Sequence, residues 1–546
     1  GIENFLDYNL QISDNSFELM VGQSFEDYKH FWLYIKTYNI PYTSKDFAYP
    51  GAAIDTKRFD VGDHSDNPEA SRQASYFGRF NWNYKELVMF QSNIRYDGAS
   101  NFGPDNKWAF FPSASLGLNL HKLEFFKSLP LSFISNLKPR VSWGQNGSRQ
   151  VLGSFPYVTT MTTVYYSNAS PLGSRELGKV PGKASNTALK WETSEQIDAG
   201  IDIGMFKNSL ILTIDRYRKS TIDQLADKAD CPAYLGLQAP PVENNGKVEN
   251  KGWEFELSYK NKIGDFNYSV ALNAAYLKNK VIDYGVKQGK DGANVGQMGV
   301  INRYDIGYPV WYFYGYKALG IFQTQDEIDK YGAIDTTTGN FVKYQSKAKP
   351  GDVKFENLYV DSLNGPDYKI DGNDRTYLGK PMPDWTFGMT FNFEWKGFEL
   401  NMFFQGVTGN QIYWANYRKD RVTYNKAEIY YTDRWTGPGT SNRYPRATYT
   451  DANENFRISS LNIYDGDYLR LKSLTIGYTL PSKITSKVLI NKLRIYYTGT
   501  NLITWTKYPG TDPEVGMYDS GWNATLGIDK GLYPPTKIHT VGINVT

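Results

Sequence analysis

A chain of 546 residues has room for several ordinary domains or for one large sheet closed on itself. Aromatics make up 16% of it, including 43 Tyr, yet mean hydropathy is negative, and no run approaches the roughly 18 consecutive apolar residues of a membrane helix. The 60 Lys and Arg nearly balance 57 Asp and Glu, which excludes the basic footprint of a nucleic-acid binder, and the single cysteine, Cys231, excludes an intrachain disulfide or thiolate metal cluster.

The elements read as strands from the start. Glu3 to Ile12 predicts a first strand, ending in a turn near Ser13 to Ser16. Phe80, Trp82 and Tyr84 alternate with Arg79, Asn81 and Asn83; beyond Lys85-Glu86, Val88, Phe90 and Ile94 alternate with Gln91, Asn93 and Arg95. Leu210, Leu212 and Ile214 alternate with Thr213 and Asp215, and Phe266, Tyr268, Val270, Leu272, Ala274 and Tyr276 with Asn267, Ser269, Ala271 and Asn273. From Trp385 to Trp395 every odd residue is large and apolar (Trp385, Phe387, Met389, Phe391, Phe393, Trp395) and every even one is small or polar. After Lys396-Gly397 the pattern returns at Phe398, Leu400, Met402 and Phe404, and the chain ends on Val541, Ile543 and Val545.

Successive side chains on a strand point to opposite faces, so these runs commit one sheet face to an apolar medium and the other to polar surroundings. The polar partners are too polar for a sandwich core. Aromatic rings at both ends of the apolar face suit a headgroup boundary on each side of a bilayer. With membrane helices excluded, a closed barrel is the remaining structure that satisfies its backbone in lipid.

Connections sort into two kinds. Short ones fall near 13–16, 85–86, 207–208, 263–265 and 396–397, and somewhat longer ones near 121–136 and 481–491. Between them lie long stretches rich in Gly, Pro, Asn and Asp at 38–73, 147–188, 219–245, 280–382 and 408–465, the last two predicted to hold extracellular loop structure of their own. Short and long alternate, as in barrels with tight periplasmic turns and large extracellular loops. The fold class is therefore all-β: a transmembrane antiparallel barrel of about fifteen visible strands, with Trp311 to Phe322 as structure inside a long loop. Counted from a periplasmic C-terminus, the first strand runs downward. An odd count starting outside is half a story for an even-stranded barrel. The remaining strands are expected on another segment, and a chain opening at Gly1 without a leader reads as part of a longer precursor.

Several ordered stretches resemble one family. They include Arg95-Tyr-Asp-Gly-Ala-Ser-Asn-Phe-Gly103, Leu137-Lys-Pro-Arg-Val-Ser-Trp-Gly-Gln-Asn-Gly147, Leu189-Lys-Trp-Glu-Thr-Ser-Glu-Gln-Ile-Asp-Ala-Gly200 and Gly246-Lys-Val-Glu-Asn-Lys-Gly-Trp-Glu254. Asn373 to Gly379, Asp465 to Pro481 and Thr500 to Pro509 continue the likeness. Together they resemble the SusC/RagA-type TonB-dependent transporters of Bacteroidetes outer membranes. The resemblance implies a barrel of about 22 strands filled by an N-terminal plug, energised through TonB by way of an N-terminal segment, and capped by a SusD-like lipoprotein. On that reading the plug domain is absent from this chain, the first barrel strands belong to the preceding segment, and the protein sits in the outer membrane of a Gram-negative bacterium. Members commonly end in an aromatic residue, whereas this chain stops at Thr546. The family imports oligosaccharides and in some cases oligopeptides; nothing in the sequence chooses between them.

Two places in the longest loop are candidate sites. Trp311, Tyr312 and Tyr314, with Tyr316, form an aromatic cluster that reads as a contact for substrate or lipoprotein, or as a small core holding the loop together. Asp361, Asn364, Asp367, Asp371 and Asp374 offer hard oxygens for calcium, although their spacing is looser than an EF-hand loop. The same acids also read as an ordinary polar loop. Inward-facing basic residues such as Arg95 and Arg494 are expected in ion pairs. No nucleophile elbow, phosphate-binding loop, zinc helix or catalytic cysteine appears, so an importer rather than an enzyme is expected. The alternative from another class is a secreted all-β glycan-degrading or glycan-binding protein, whose apolar strand faces would pack against one another; a passive porin is a third.

Overall fold

A computed structural model of the chain describes residues 1–30, 33–35, 38–41, 54, 64–66, 69–149, 156–159, 161–167, 175–228, 231–237, 240–284, 290–291, 299–358, 360–361, 365–416, 427–516 and 525–546. Alternating sequence becomes strand wherever it was found. Fifteen strands form one sheet: β1 (Ile2–Ile12), β2 (Asn15–His30), β3 (Glu69–Tyr84), β4 (Val88–Ala99), β5 (Trp108–Leu118), β6 (Ile134–Ser148), β7 (Glu192–Met205), β8 (Leu210–Ile222), β9 (Lys247–Ile263), β10 (Phe266–Asp283), β11 (Trp385–Trp395), β12 (Phe398–Thr408), β13 (Tyr468–Thr479), β14 (Leu493–Thr506) and β15 (Ile538–Val545). Sheet order is chain order, each strand bonded to its neighbours in sequence. No helix among the described residues is long and apolar enough to cross a membrane.

Register preserves the two faces. Phe387 lies opposite Ala274 on β10 and Gly406 on β12, Met389 opposite Leu272 and Phe404, and Phe391 opposite Val270 and Met402. Asn392 sits between Ser269 and Asn401 on the other face. The β11–β12 hairpin closes on two residues, Lys396 and Gly397, both at positive φ (46° and 91°), the twist that matches two right-handed strands. Large apolar side chains along the sheet stay exposed, among them Ile94, Tyr96, Val141, Ile197, Trp253, Ile476, Ile495 and Trp505. A soluble sandwich buries such a face; a lipid-facing band leaves it bare of protein.

Alternate connections differ as the sequence predicts. Those at 13–14, 85–87, 119–133, 206–209, 264–265, 396–397 and 480–492 are the shorter set, and those at 149–191, 223–246, 284–384 and 409–467 are long. The connection at 507–537 is also long and was not singled out in the sequence, because its turn residues adjoin a strand-like Asn501 to Thr506 run. Residues 100–107, on the long-loop side, make only a short crossing.

The chain packs as two compact units. In one (1–119, 140–198, 219–247), Phe102, Phe111, Leu189, Trp191, Leu225 and Val242 form a core at the long-loop ends of the strands. Trp191 stacks 5.0 Å from Phe102, and its indole N–H donates to the Lys107 carbonyl at 3.1 Å. In the other (120–139, 199–218, 248–546), the connections 284–384, 409–467 and 507–537 build a body with several cores.

The lipid-facing assignment predicts that Met389→Arg costs about 2–4 kcal/mol at mid-bilayer. It should fail to give the heat-modifiable band of a folded barrel in a detergent gel, while Thr390→Arg, on the polar face, keeps it. Equal insertion of both variants would reverse the faces.

Candidate functional site

The outer-loop body is built across long sequence distances. Gln411–Trp414 pairs antiparallel with Ile463–Asp465 and parallel with Ile528–Asp529, so two connections, 409–467 and 507–537, share one small sheet. Ile301, Phe313, Tyr413, Ala415 and Ile528 are buried together beside it. Tyr508 donates its hydroxyl to Asp529 Oδ2 at 2.6 Å inside the body, and burial, reinforced by that carboxylate, pushes the phenol well above its ordinary pKa.

A polar network locks two of these connections. Asp352 is 1% exposed and accepts from Arg446 Nε at 2.8 Å, Asn455 Nδ2 at 3.0 Å and the Lys349 N–H at 2.8 Å. Asn455 Oδ1 accepts from the Val353 N–H at 2.8 Å and from Asn453 Nδ2 at 2.9 Å. Gln345 completes it, donating to Asn453 Oδ1 and accepting from the Phe355 N–H. Each buried polar atom here has a partner, which makes the network rigid rather than costly. Sequence reasoning missed these residues. Arg446 and Asn455 lie 94 and 103 positions from Asp352, and a scattered Asp, Gln and Asn pair has no local signature.

The aromatic cluster falls in the same body. Tyr312 is 2% exposed, stacks 4.8 Å from Tyr308 and 5.4 Å from Tyr377, and donates to Asp305. Its phenol is pushed far up, first by burial and then by Asp305. Tyr312 is thus enclosed by its own neighbours in the loop body. Tyr314 is half-buried beneath two guanidinium groups, Arg303 at 4.4 Å and Arg375 at 4.5 Å from its ring centre. Trp311 packs at 5.4 Å on Tyr304, and Tyr316 lies under Arg457. Trp435, from the Asp433 to Gly437 stretch, donates its indole N–H to Gln323 Oε1 at 3.1 Å.

Of the five acidic-loop residues, the structure brings together Asp367, Asp371 and Asp374, with ligand atoms within 4.8 Å of one another. Asn364 lies outside the described residues, and Asp361 contributes backbone to a short pair with Gly365. Asp374 is fully buried and already accepts the N–H of Leu358 and of Asp371, both at 2.7 Å. Asp371 accepts the Asn373 N–H and pairs with Lys369 at 2.8 Å, which holds its carboxyl below the usual range. Asp367 keeps one buried oxygen, Oδ2, without a partner. The three carboxylates thus offer one free oxygen, on Asp367, while those of Asp371 and Asp374 are already engaged.

The inner face of the same unit is polar. Asn267, Ser269, Asn392 and Glu394 line a cavity of about 450 Å³ with Lys260 and Asn261. Arg494 reaches Glu399 through the space over Gly477, where a Cβ would collide with the Glu399 carboxylate. In the other unit Arg95 pairs with Asp97 at 3.0 Å.

An exposed apolar outer face, a polar inner face and a sequential antiparallel sheet define an outer-membrane β-barrel. Residues 1–502 match the family described as TonB dependent receptor-like, beta-barrel, and the chain belongs to that family. It is similar to TonB-dependent receptor P3 of Formosa agariphila (30% identity, covering 100% of this chain and 52% of that protein). It is also similar to TonB-dependent receptor SusC of Bacteroides thetaiotaomicron (26%, covering 86% and 43%). The solved structure of the RagAB peptide transporter matches the whole chain and 55% of its own at a TM-score of 0.75 and 22% identity, a likeness of fold. The chain spans about half the length of the curated relatives it matches.

Removing the Asp352 carboxylate should loosen the loop body without unfolding the sheet. Asp352→Ala is expected to cost about 3 kcal/mol, the lower end for a broken buried pair because Arg446 keeps some water contact. Limited proteolysis should then cut within 284–384 and 409–467 faster than in the parent, with the heat-modifiable band retained.

Proposed function

We propose that this chain forms the barrel wall and outer loops of a TonB-dependent importer that carries oligosaccharides across the outer membrane together with a SusD-like surface lipoprotein. The family match supports import by a gated barrel. The observation that favours a glycan is the set of exposed tyrosines on the outer-loop body: Tyr431, Tyr449 and Tyr533 are 70%, 86% and 87% exposed. A ring face packs against the apolar face of a pyranose, and the amide-rich inner face suits hydroxyl groups. TonB coupling would act through an N-terminal segment and plug of the whole protein.

A second reading, import of oligopeptides by the same architecture, is supported by the likeness to the RagAB peptide transporter. Fractionated oligosaccharides and oligopeptides titrated into the purified whole complex separate the two. The first reading expects glycan binding that weakens in Tyr431→Ala, Tyr449→Ala and Tyr533→Ala by about 0.5–1.5 kcal/mol per ring. Peptide binding alone would transfer the substrate to the second reading, and uptake that persists in a strain lacking TonB would remove active import.

We also propose that Asp367, Asp371 and Asp374 hold a calcium ion, a reading supported by the unpartnered Oδ2 of Asp367. Calcium at 100 times its Kd should then stabilise the loop body by about 2.7 kcal/mol. Differential scanning fluorimetry should show this upshift in the parent and lose it in Asp367→Asn. No calcium-dependent shift in the parent would leave the turn held by Lys369 and its own hydrogen bonds.

A further inference from the structure

The short turns of the second unit form one continuous rim. Lys260 donates its backbone N–H to the Ser209 carbonyl at 2.8 Å, and Thr479 to the Gly397 carbonyl at 2.8 Å. Between them the Lys396 ammonium approaches Asp265 at 3.9 Å. These links connect the turns at 206–209, 264–265, 396–397 and 480–492, each two strands from the next. At about 4.8 Å between strands, the four turns span roughly 30 Å.

Charge on this rim is nearly all of one sign. Lys207, Lys396, Lys483, Lys487 and Lys492 lie on the turns and Lys262 at the end of β9; all are exposed, and Asp265 is the one acid in the four turns. Apart from Lys396, these lysines have no ion-pair partner among the described residues. At the adjoining strand ends Glu399 is taken by Arg494, and Glu394 lines the inner-wall cavity together with Lys260 and Lys262. The first unit is different. There Lys85 is paired with Asp14 at 2.8 Å, and Glu86 follows it in sequence.

We propose that this rim docks a carboxylate-bearing glycan-peptide polymer, the chemistry of the cell wall that lies beneath an outer membrane. The inference rests on the outer-membrane barrel and on its short turns facing the periplasm, and is independent of which substrate is imported. Three observations favour such a polymer. Cations spread along four turns complement an extended chain whose charges recur, whereas a small anion needs them gathered at one point. Lys262 shares the inner-wall cavity with Lys260, so its charge stands on the lumen side, away from lipid headgroups. The exposed apolar side chains Phe206, Ile263 and Leu489 rise from three different turns and make no single patch of the kind that forms the core of a protein interface.

The test is co-sedimentation of the purified whole complex, in detergent, with isolated peptidoglycan sacculi and with sacculi whose carboxylates have been amidated. The parent should sediment with native sacculi and be retained roughly 10-fold less by amidated ones. Retention should also collapse between about 0.1 M and about 1 M salt, as the screening length falls from about 10 Å to about 3 Å. Equal retention by native and amidated sacculi, or retention that survives the higher salt, overturns the proposal. Neither arm needs a variant to fold. Replacing Lys207, Lys262, Lys483, Lys487 and Lys492 together by Gln should lower retention by a similar factor, and replacing them by Arg should keep it. A complex that ignores sacculi but binds phosphatidylglycerol nanodiscs would assign the rim to a lipid surface and equally overturn it. Loss of heat-modifiable migration in the parent would count against the barrel; failure to bind sacculi with that migration intact counts against the rim.

Discussion

In hydrocarbon no water is available to a backbone N–H or C=O, and every one must be paired within the protein. That constraint organises this chain. It forces the spanning segments into a sheet, and a sheet gives a side-chain period of two. One face then answers to lipid and the other to polar surroundings, residue by residue. Hairpins are the natural way to extend such a sheet, since an antiparallel neighbour can follow after two residues, as at Lys396-Gly397. The fifteen strands in chain order are the outcome of that rule applied repeatedly.

The same constraint explains what was legible in the sequence. Trp385 to Trp395 could be read to the residue because its two environments differ so sharply, and its observed bounds are Trp385–Trp395. The loops obey no such rule. Outside the bilayer, water satisfies an unpaired amide, so a loop sequence need show no period, and its core must be assembled from distant pieces. Tyr312 reads in sequence either as a contact residue or as part of a loop core, because aromatic clusters in loops serve both recognition and burial. Its enclosure by Tyr308, Tyr377 and Asp305 depends on residues whose meeting has no local signature. The ion pairs were easier: Arg494 on a polar strand face needed an acid, and Glu399 supplies it.

Family-like stretches prove to be structural. Asn101-Phe102-Gly103 and Leu189-Lys190-Trp191 meet in one core, where Phe102 and Leu189 are fully buried and Asn101 accepts from Arg149 at 2.7 Å. Gly103 is needed there because a Cβ would come within 2.8 Å of the Thr187 carbonyl. Such residues identify the family through packing at the strand ends. They carry no information on the substrate, which explains why a strong resemblance left glycan and peptide undecided.

The loop body and the sheet also differ in how they can form. Alternate hairpins close over short links, so those strand pairs can form at small entropic cost. The body cannot. Its parallel pair joins Tyr413 to Ile528 across β13 and β14, and Asp352 waits for Asn455 across β11 and β12. Contacts of that separation are the slow ones. The polar network around Asp352, in which the amides of Gln345, Asn453 and Asn455 are matched, favours one arrangement over the many that apolar packing alone would accept. A surface specified by hydrogen bonds is a rigid mount, on which exposed rings such as Tyr449 can be held at fixed positions while their neighbours stay buried.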